Sequence, residues 1–205
     1  MKVTVQSDHP LTDEACLAAT GKTFAEWFGE IDSMGGPAIG RKAVNDRLFG
    51  ELKVDMWWIA TINNLYEAQK GVLEKDGRAK GFNICVTKTI GAPLEKVYGA
   101  WVDPEQLQKW FGEAATASVT DGGSFCDGDG NSGTFKRVRA NKDLRFTWEN
   151  PAYPPSMVDV SFSDKGNGKT YLLVNLDRVQ ARPEADGLRR SWNEAVERLK
   201  ALMEG

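Results

Sequence analysis

Residues 82–112, FNICVTKTIGAPLEKVYGAWVDPEQLQKWFG, decide how the rest of the chain must fold. Phe82, Ile84 and Val86 alternate with Asn83, Cys85 and Thr87, the period of a half-buried strand. Ala92-Pro93 ends that strand, because proline fixes φ and cannot donate to a sheet ladder. Pro93 suits the first turn of a helix, and Leu94, Val97, Tyr98, Trp101 and Val102 then recur at helical spacing. Asp103-Pro104 opens a second short helix with an apolar end at Leu107, Trp110 and Phe111. Two amphipathic helices must bury their faces on a sheet, and the sheet has to come from downstream.

Short strands do follow. Ala117–Thr120 leads through Asp121-Gly122-Gly123 into Ser124–Cys126, and the run DGDGNSG (127–133) reads as a hairpin tip before Thr134–Ala140. Asn141-Lys142-Asp143 turns the chain, and Leu144, Phe146 and Trp148 alternate with Arg145, Thr147 and Glu149. The prolines of NPAYPP (150–155) predict a loop, Val158, Val160 and Phe162 alternate next, and GNG turns into Lys169–Val179. Leu188, Trp192, Ala195, Leu199 and Leu202 then share one face of a long final helix. The order specifies an α+β helix-grip fold: a curved antiparallel sheet wrapped around the C-terminal helix, two short helices after the first strand, and an N-terminal all-α domain. Large residues that hold the helix off the sheet leave a cavity between them.

The first third is helical throughout. Thr12 caps a helix that Gly21 ends, and Thr23 with Glu26 has capping-box spacing ahead of Phe24, Trp27, Phe28 and Ile31. Gly35-Gly36-Pro37 is a stop. One helix is predicted over residues 38–49, with Gly50 as its C-terminal signal. Asp55 caps a fourth, whose Trp58, Ile62 and Leu65 share a face that Met56, Ile59 and Tyr66 widen. Residues 70–81, KGVLEKDGRAKG, read as a polar linker, which divides the chain into residues 1–77, helical domain plus linker, and residues 78–205, the helix-grip domain.

Composition narrows the function. Residues 1–80 carry ten basic and twelve acidic side chains and residues 81–205 sixteen and seventeen, so no basic block points to nucleic acid. No run approaches membrane-spanning length, MKVTVQSDHP lacks a signal-peptide core, and three scattered cysteines, Cys16, Cys85 and Cys126, suit a reducing cytoplasm.

Residues 82–205 resemble the domain shared by homologues of the activator of heat-shock-protein-90 ATPase, within the START-like helix-grip superfamily (SRPBCC). The matching pieces are Thr89-Ile90-Gly91-Ala92-Pro93, Val97, Ala100-Trp101, Asp103-Pro104 and Trp110-Phe111, then Asp121-Gly122-Gly123-Ser124-Phe125, Gly133, Leu144, Phe146-Thr147-Trp148, Trp192, Leu199 and Leu202. Residues 12–70 resemble a small helical domain of unknown function, through Thr20-Gly21-Lys22-Thr23, Trp27, Trp57-Trp58, Thr61 and Tyr66-Glu67. The resemblance implies the helix-grip fold, and it places the Trp110-Phe111 end near the mouth of the cavity.

Several apparent motifs dissolve on inspection. Gly168-Lys169-Thr170 and Gly21-Lys22-Thr23 end like phosphate loops, but Ser163 and Cys16 stand where the first glycine belongs, and neither has a strand–loop–helix context. Asp127, Asp129 and Asn131 begin like a calcium loop, yet Ser132 replaces its glycine and Val138 its bidentate glutamate, so a hairpin tip is expected and no metal. The only histidine, His9, lies on an end expected to fray, which removes histidine-based triads. Cys85 and Cys126 have no histidine to activate them. Alternation turns Arg145 and Asp159 to solvent and puts Arg137 on the face of Phe135, leaving the direction of that strand open.

The residues therefore point to a binding module for a small apolar or amphipathic molecule, with no cofactor and no catalytic group assigned. Its walls are expected from Phe125, Phe135, Leu144, Phe146, Trp148 and Val160 on the sheet, Leu188 and Trp192 on the final helix, and Trp110 and Phe111. Two other readings stay open. One is an enzyme of the polyketide cyclase or dehydratase kind, which a convergent buried Asp–Arg or Tyr–Asp pair would favour. The other is a stress-response or chaperone-linked interaction module using the helical domain, which exposed apolar residues within 24–66 would favour.

Overall fold

A computed structural model describes residues 1–205, and its contacts separate two units: Ser7–Phe82, and Met1–Gln6 together with Asn83–Gly205. The helical unit holds α1 (Asp13–Thr20), α2 (Phe24–Ser33), α3 (Gly40–Asn45) and α4 (Met56–Gln69). Thr12 accepts from the Ala15 amide, Gly21 leaves α1 at a left-handed φ of 81°, and Thr23 and Glu26 close a reciprocal capping box. Trp27, Ile31, Val44, Leu48, Trp58, Ile59, Ile62 and Tyr66 form the core.

The single helix predicted over 38–49 is instead three pieces: a 3-10 turn over Gly36–Ile39, α3, and a π turn over Asp46–Glu51. Gly40, at φ 74°, interrupts the path, and the chain reverses at Lys53 (φ 58°) rather than at Gly50. Leu65, expected inside, is exposed. Its neighbours are tied the other way: Tyr66 donates to Asp32 at 2.5 Å, while Arg41 Nη2 donates to Asn64 at 2.9 Å and to Glu67 at 2.5 Å. Lys80 reaches Glu67 at 2.9 Å, and Leu73 and Ala79 form a β-bridge, so residues 70–81 make a tied turn. His9 does not fray either; its ring meets Trp57 edge-on at 4.8 Å and stacks on Trp58 at 6.0 Å.

The larger unit is built on alternation. Strands β1 (Phe82–Ile90), β2 (Thr116–Ala117), β3 (Ser124–Cys126), β4 (Ser132–Arg139), β5 (Asp143–Asn150), β6 (Tyr153–Gly166) and β7 (Lys169–Val179) form one curved antiparallel sheet in the order β1-β7-β6-β5-β4-β3-β2. Leu144 pairs with Val160 and Phe146 with Val158, which fixes the register that sends these side chains inward. Between β1 and β2 stand α5 (Leu94–Val102) and α6 (Pro104–Trp110), the second capped by Asp103. The chain closes with α7 (Arg182–Glu204), a helix buried through Leu188, Trp192, Ala195, Val196, Leu199 and Met203. Met203, one turn after Leu199, takes the buried place expected of Leu202, which is half-buried.

Two local departures have physical causes. Pro154 and Pro155 lie inside β6, not in a loop. They precede Met157, where pairing with β7 is first seen, so on that side their missing N–H groups break no ladder bond. In β4 a bulge falls between Phe135, opposite Phe146, and Arg137, opposite Arg145. The extra residue, Lys136, resets the alternation, so Phe135 stays buried and Arg137 joins the outward face of Arg145.

Met1–Gln6 runs along α7 as a strap. Ser191 Oγ donates to the Lys2 carbonyl at 2.9 Å, and Arg190 Nη2 to the carbonyls of Gln6 at 2.7 Å and Thr4 at 3.2 Å. A Cβ on Gly187 would stand 2.4 Å from the Thr4 carbonyl oxygen, so only glycine lets the strap lie this close. The Met1 ammonium is buried between Asp127 and Asp129, 2.8 Å from each. The hairpin tip thus anchors a terminal amine.

Candidate functional site

The apolar faces of sheet and helices meet in one aromatic cluster. Phe125 from β3, Phe135 from β4, and Phe146 and Trp148 from β5 line the sheet side. Trp192 faces them from α7, Trp101 from α5, and Trp110 with Phe111 from the end of α6. Ring centroids lie 5.3 Å apart for Trp148 and Trp192, 5.7 Å for Phe111 and Trp192, 5.6 Å for Phe125 and Trp148, and 5.3 Å for Phe135 and Phe146. At these separations the rings touch. Leu144 and Val160 are cross-strand partners beside them, and Leu188 lies one turn before Trp192. All ten residues expected as walls are buried in this unit; Trp110 and Phe111, expected at a mouth, are as deep as the rest.

Sequence reading left two members out of the walls. Trp101 stacks on Trp192 with centroids 6.2 Å apart and planes 13° from parallel, and touches Trp110 at 4.7 Å. Its helical spacing with Val97 was the available signal. Tyr153 was hidden by its prolines. Its hydroxyl accepts from Trp148 Nε1 at 3.0 Å and donates to Asn131 Oδ1 at 3.2 Å. Asn131 Nδ2 in turn donates to Asp127 at 2.6 Å and to the Met1 carbonyl at 2.7 Å. A continuous polar chain therefore runs from the terminal ammonium to the wall of the cluster. Burial, chiefly, pushes the Tyr153 hydroxyl above its ordinary range.

Charge stays outside. On the outer face of the sheet Arg145 pairs with Asp159 at 3.1 Å, Arg137 with Asp143 at 2.8 Å, and Arg139 with Asp143. Burial raises the Asp159 carboxyl, and the attraction of Arg145 and Arg137 does not fully offset it. The buried Asp186 pairs with Arg182 at 3.0 Å in the first turns of α7. An open groove of about 990 Å³ lies at the α5–α6 turn, between Lys96, Asp103, Glu105 and Met203. Lys96 there caps α7 through the Met203 carbonyl at 3.2 Å. No group of three or more His, Cys, Asp or Glu is placed to hold a metal ion, and no helix is long and apolar enough to cross a membrane. Cys16 is buried, which raises its thiol, while Cys85 and Cys126 are exposed and unpaired.

A curved antiparallel sheet gripping a C-terminal helix over an aromatic interior defines a START-like helix-grip protein. Within that class, residues 91–204 match the family of Activator of Hsp90 ATPase homolog 1-like proteins, and the chain belongs to it. Comparison with curated proteins finds no match. Among solved structures, CalU16 from Micromonospora echinospora is similar at 21% identity and a TM-score of 0.54, over 60% of this chain and 76% of that one. The Aha1 dimer from Colwellia psychrerythraea is similar at 18% identity and a TM-score of 0.54, over 60% of this chain and 96% of that one. DynU16, a protein in the dynemicin biosynthetic locus, is similar at 26% identity and a TM-score of 0.53, over 60% of this chain but only 47% of its own.

Proposed function

We propose that the unit formed by Met1–Gln6 and Asn83–Gly205 binds a small apolar or amphipathic molecule between the sheet and α7. The observation that carries this is the aromatic cluster, into which six elements turn rings while every charged pair named above stays outside it. Such a lining selects for planar apolar bulk. Because the rings already touch, a guest enters by parting them. Titration with indane should change tryptophan emission along a saturable curve. A response that only rises linearly to the solubility limit would remove this reading.

One observation supports a second role, for the helical unit. Phe49, Leu52 and Met56 are all exposed across the turn from the π helix into α4. Exposed apolar side chains of that size favour a protein-interaction surface, and a chaperone-linked or stress-response role would follow from it. Replacing Phe49 and Met56 by Ser should leave folding intact and abolish any partner captured by the whole chain. The exposed free thiols of Cys85 and Cys126 suit a reducing, cytoplasmic setting.

A further inference from the structure

Four indoles meet in the cluster, and they differ in what their N–H groups do. Trp110 donates to the Ala100 carbonyl at 2.9 Å, and Trp148 to the Tyr153 hydroxyl at 3.0 Å. The Nε1 atoms of Trp101 and Trp192 are buried and have no acceptor. Trp192 is fully enclosed and Trp101 is 5% exposed. Folded proteins leave few buried donors unmet, because a donor stripped of water and given no acceptor destabilises the fold. Here two stand unmet on near-parallel rings in contact. The side chains whose rings neighbour them, Phe162, Trp110, Phe111 and Trp148, contain no oxygen.

We propose that the guest carries an acceptor oxygen, and that the indole N–H groups of Trp101 and Trp192 receive it. The ligand class is a neutral aromatic or polycyclic carbonyl compound. This rests on the binding role proposed above and specifies it. A carbonyl oxygen has two lone pairs and, unlike a hydrocarbon, can accept from either indole. A carboxylate fits less well, since burying it needs a paired cation. Arg198, the α7 cation beside this end of the cluster, already donates its Nε to the Trp110 carbonyl at 2.8 Å.

The test uses the whole chain and two probes of nearly equal shape, 1-indanone, which has a ketone, and indane, which has none. In a 15N–1H spectrum of the seven tryptophan side chains, 1-indanone should move the Trp101 and Trp192 indole signals downfield. Indane should bind and leave them nearly in place. The ratio of the two dissociation constants, indane over 1-indanone, should fall about fivefold or more in Trp101→Phe and Trp192→Phe, which keep an aromatic ring and remove the donor. Should Trp192→Phe not fold, the wild-type spectra and Trp101→Phe still decide. If both probes bind, with unmoved Trp101 and Trp192 signals and a ratio unchanged by the variants, the acceptor inference is overturned and the binding role stands. If neither probe binds, both fall.

Discussion

At the scale of single residues, three charged or phenolic groups set testable terms. The Met1 ammonium and Asp127 are buried together, with Asp129 as a second, partly exposed partner. Asp127→Ala removes the buried partner and leaves a charge that only Asp129 faces. The expected loss is about 3 kcal/mol, the low end for breaking a buried pair, read from urea midpoints. Acetylating the α-amino group should cost a similar amount, and no loss in either case would show that the strap is held by its carbonyl contacts alone. In the helical unit, burial acts to raise the Glu67 carboxyl, but hydrogen bonds from Arg41 and Lys80 win and hold it below its ordinary 4.5. A depressed carboxyl stabilises the fold above its unfolded pKa and loses that contribution as pH falls through the folded value. Stability of residues 7–82 should therefore decline on acidification below about pH 4.5, and Glu67→Gln should flatten that limb. Tyr66 shows the opposite flank. Burial first, then its bond to Asp32, push its hydroxyl up to about 12 from an ordinary 10. Between those values the unfolded chain releases a proton that the folded one keeps, so stability falls with rising pH in that window. Tyr66→Phe should remove the slope, measured by circular dichroism from pH 9 upward.

At the scale of elements, Gly187 tests how the strap is seated. An Ala there brings a methyl against the Thr4 carbonyl. Gly187→Ala should release Met1–Gln6, exposing its amides to rapid hydrogen exchange while the rest of α7 stays protected; unchanged protection would contradict the close approach. Most of the larger unit was legible because its alternation is clean. Phe82, Ile84 and Val86, then Leu144, Phe146 and Trp148, fall on one face without exception, and Leu188, Trp192 and Leu199 keep helical spacing. What sequence could not give were the places where one residue breaks the period or joins distant segments. Lys136 is an ordinary strand residue until the bulge doubles it against β5. Pro154 and Pro155 look like loop until the pairing of β6 with β7 is seen to stop at Met157. The strap is invisible because its alternating residues carry no mark of the helix they lie on. Of the aromatic cluster, seven rings could be named, since large rings on an inward face must meet, while Trp101 and Tyr153 were missed. The unmet donors of Trp101 and Trp192 depend on where neighbouring acceptors fall, which no spacing rule encodes.

At the scale of the whole molecule, the first six residues belong to the unit that holds residues 83–205. We propose that this unit folds independently, as does residues 7–82. Residues 78–205 expressed without the strap should unfold cooperatively, with near-UV circular dichroism intact, but at lower urea than the whole chain. Far-UV signal without near-UV signal would mean that the sheet and α7 cannot form a core alone. Within that unit Trp148→Ala should cost about 3–5 kcal/mol and make room for larger guests, because the ring is fully packed. The most direct test of the binding role is an intermolecular NOE experiment on the whole chain with indane near saturation. Cross-peaks from indane protons to the rings of Trp148, Trp192 and Phe111 are the result expected. Cross-peaks confined to Phe49, Leu52 and Met56, or none at all, would contradict it.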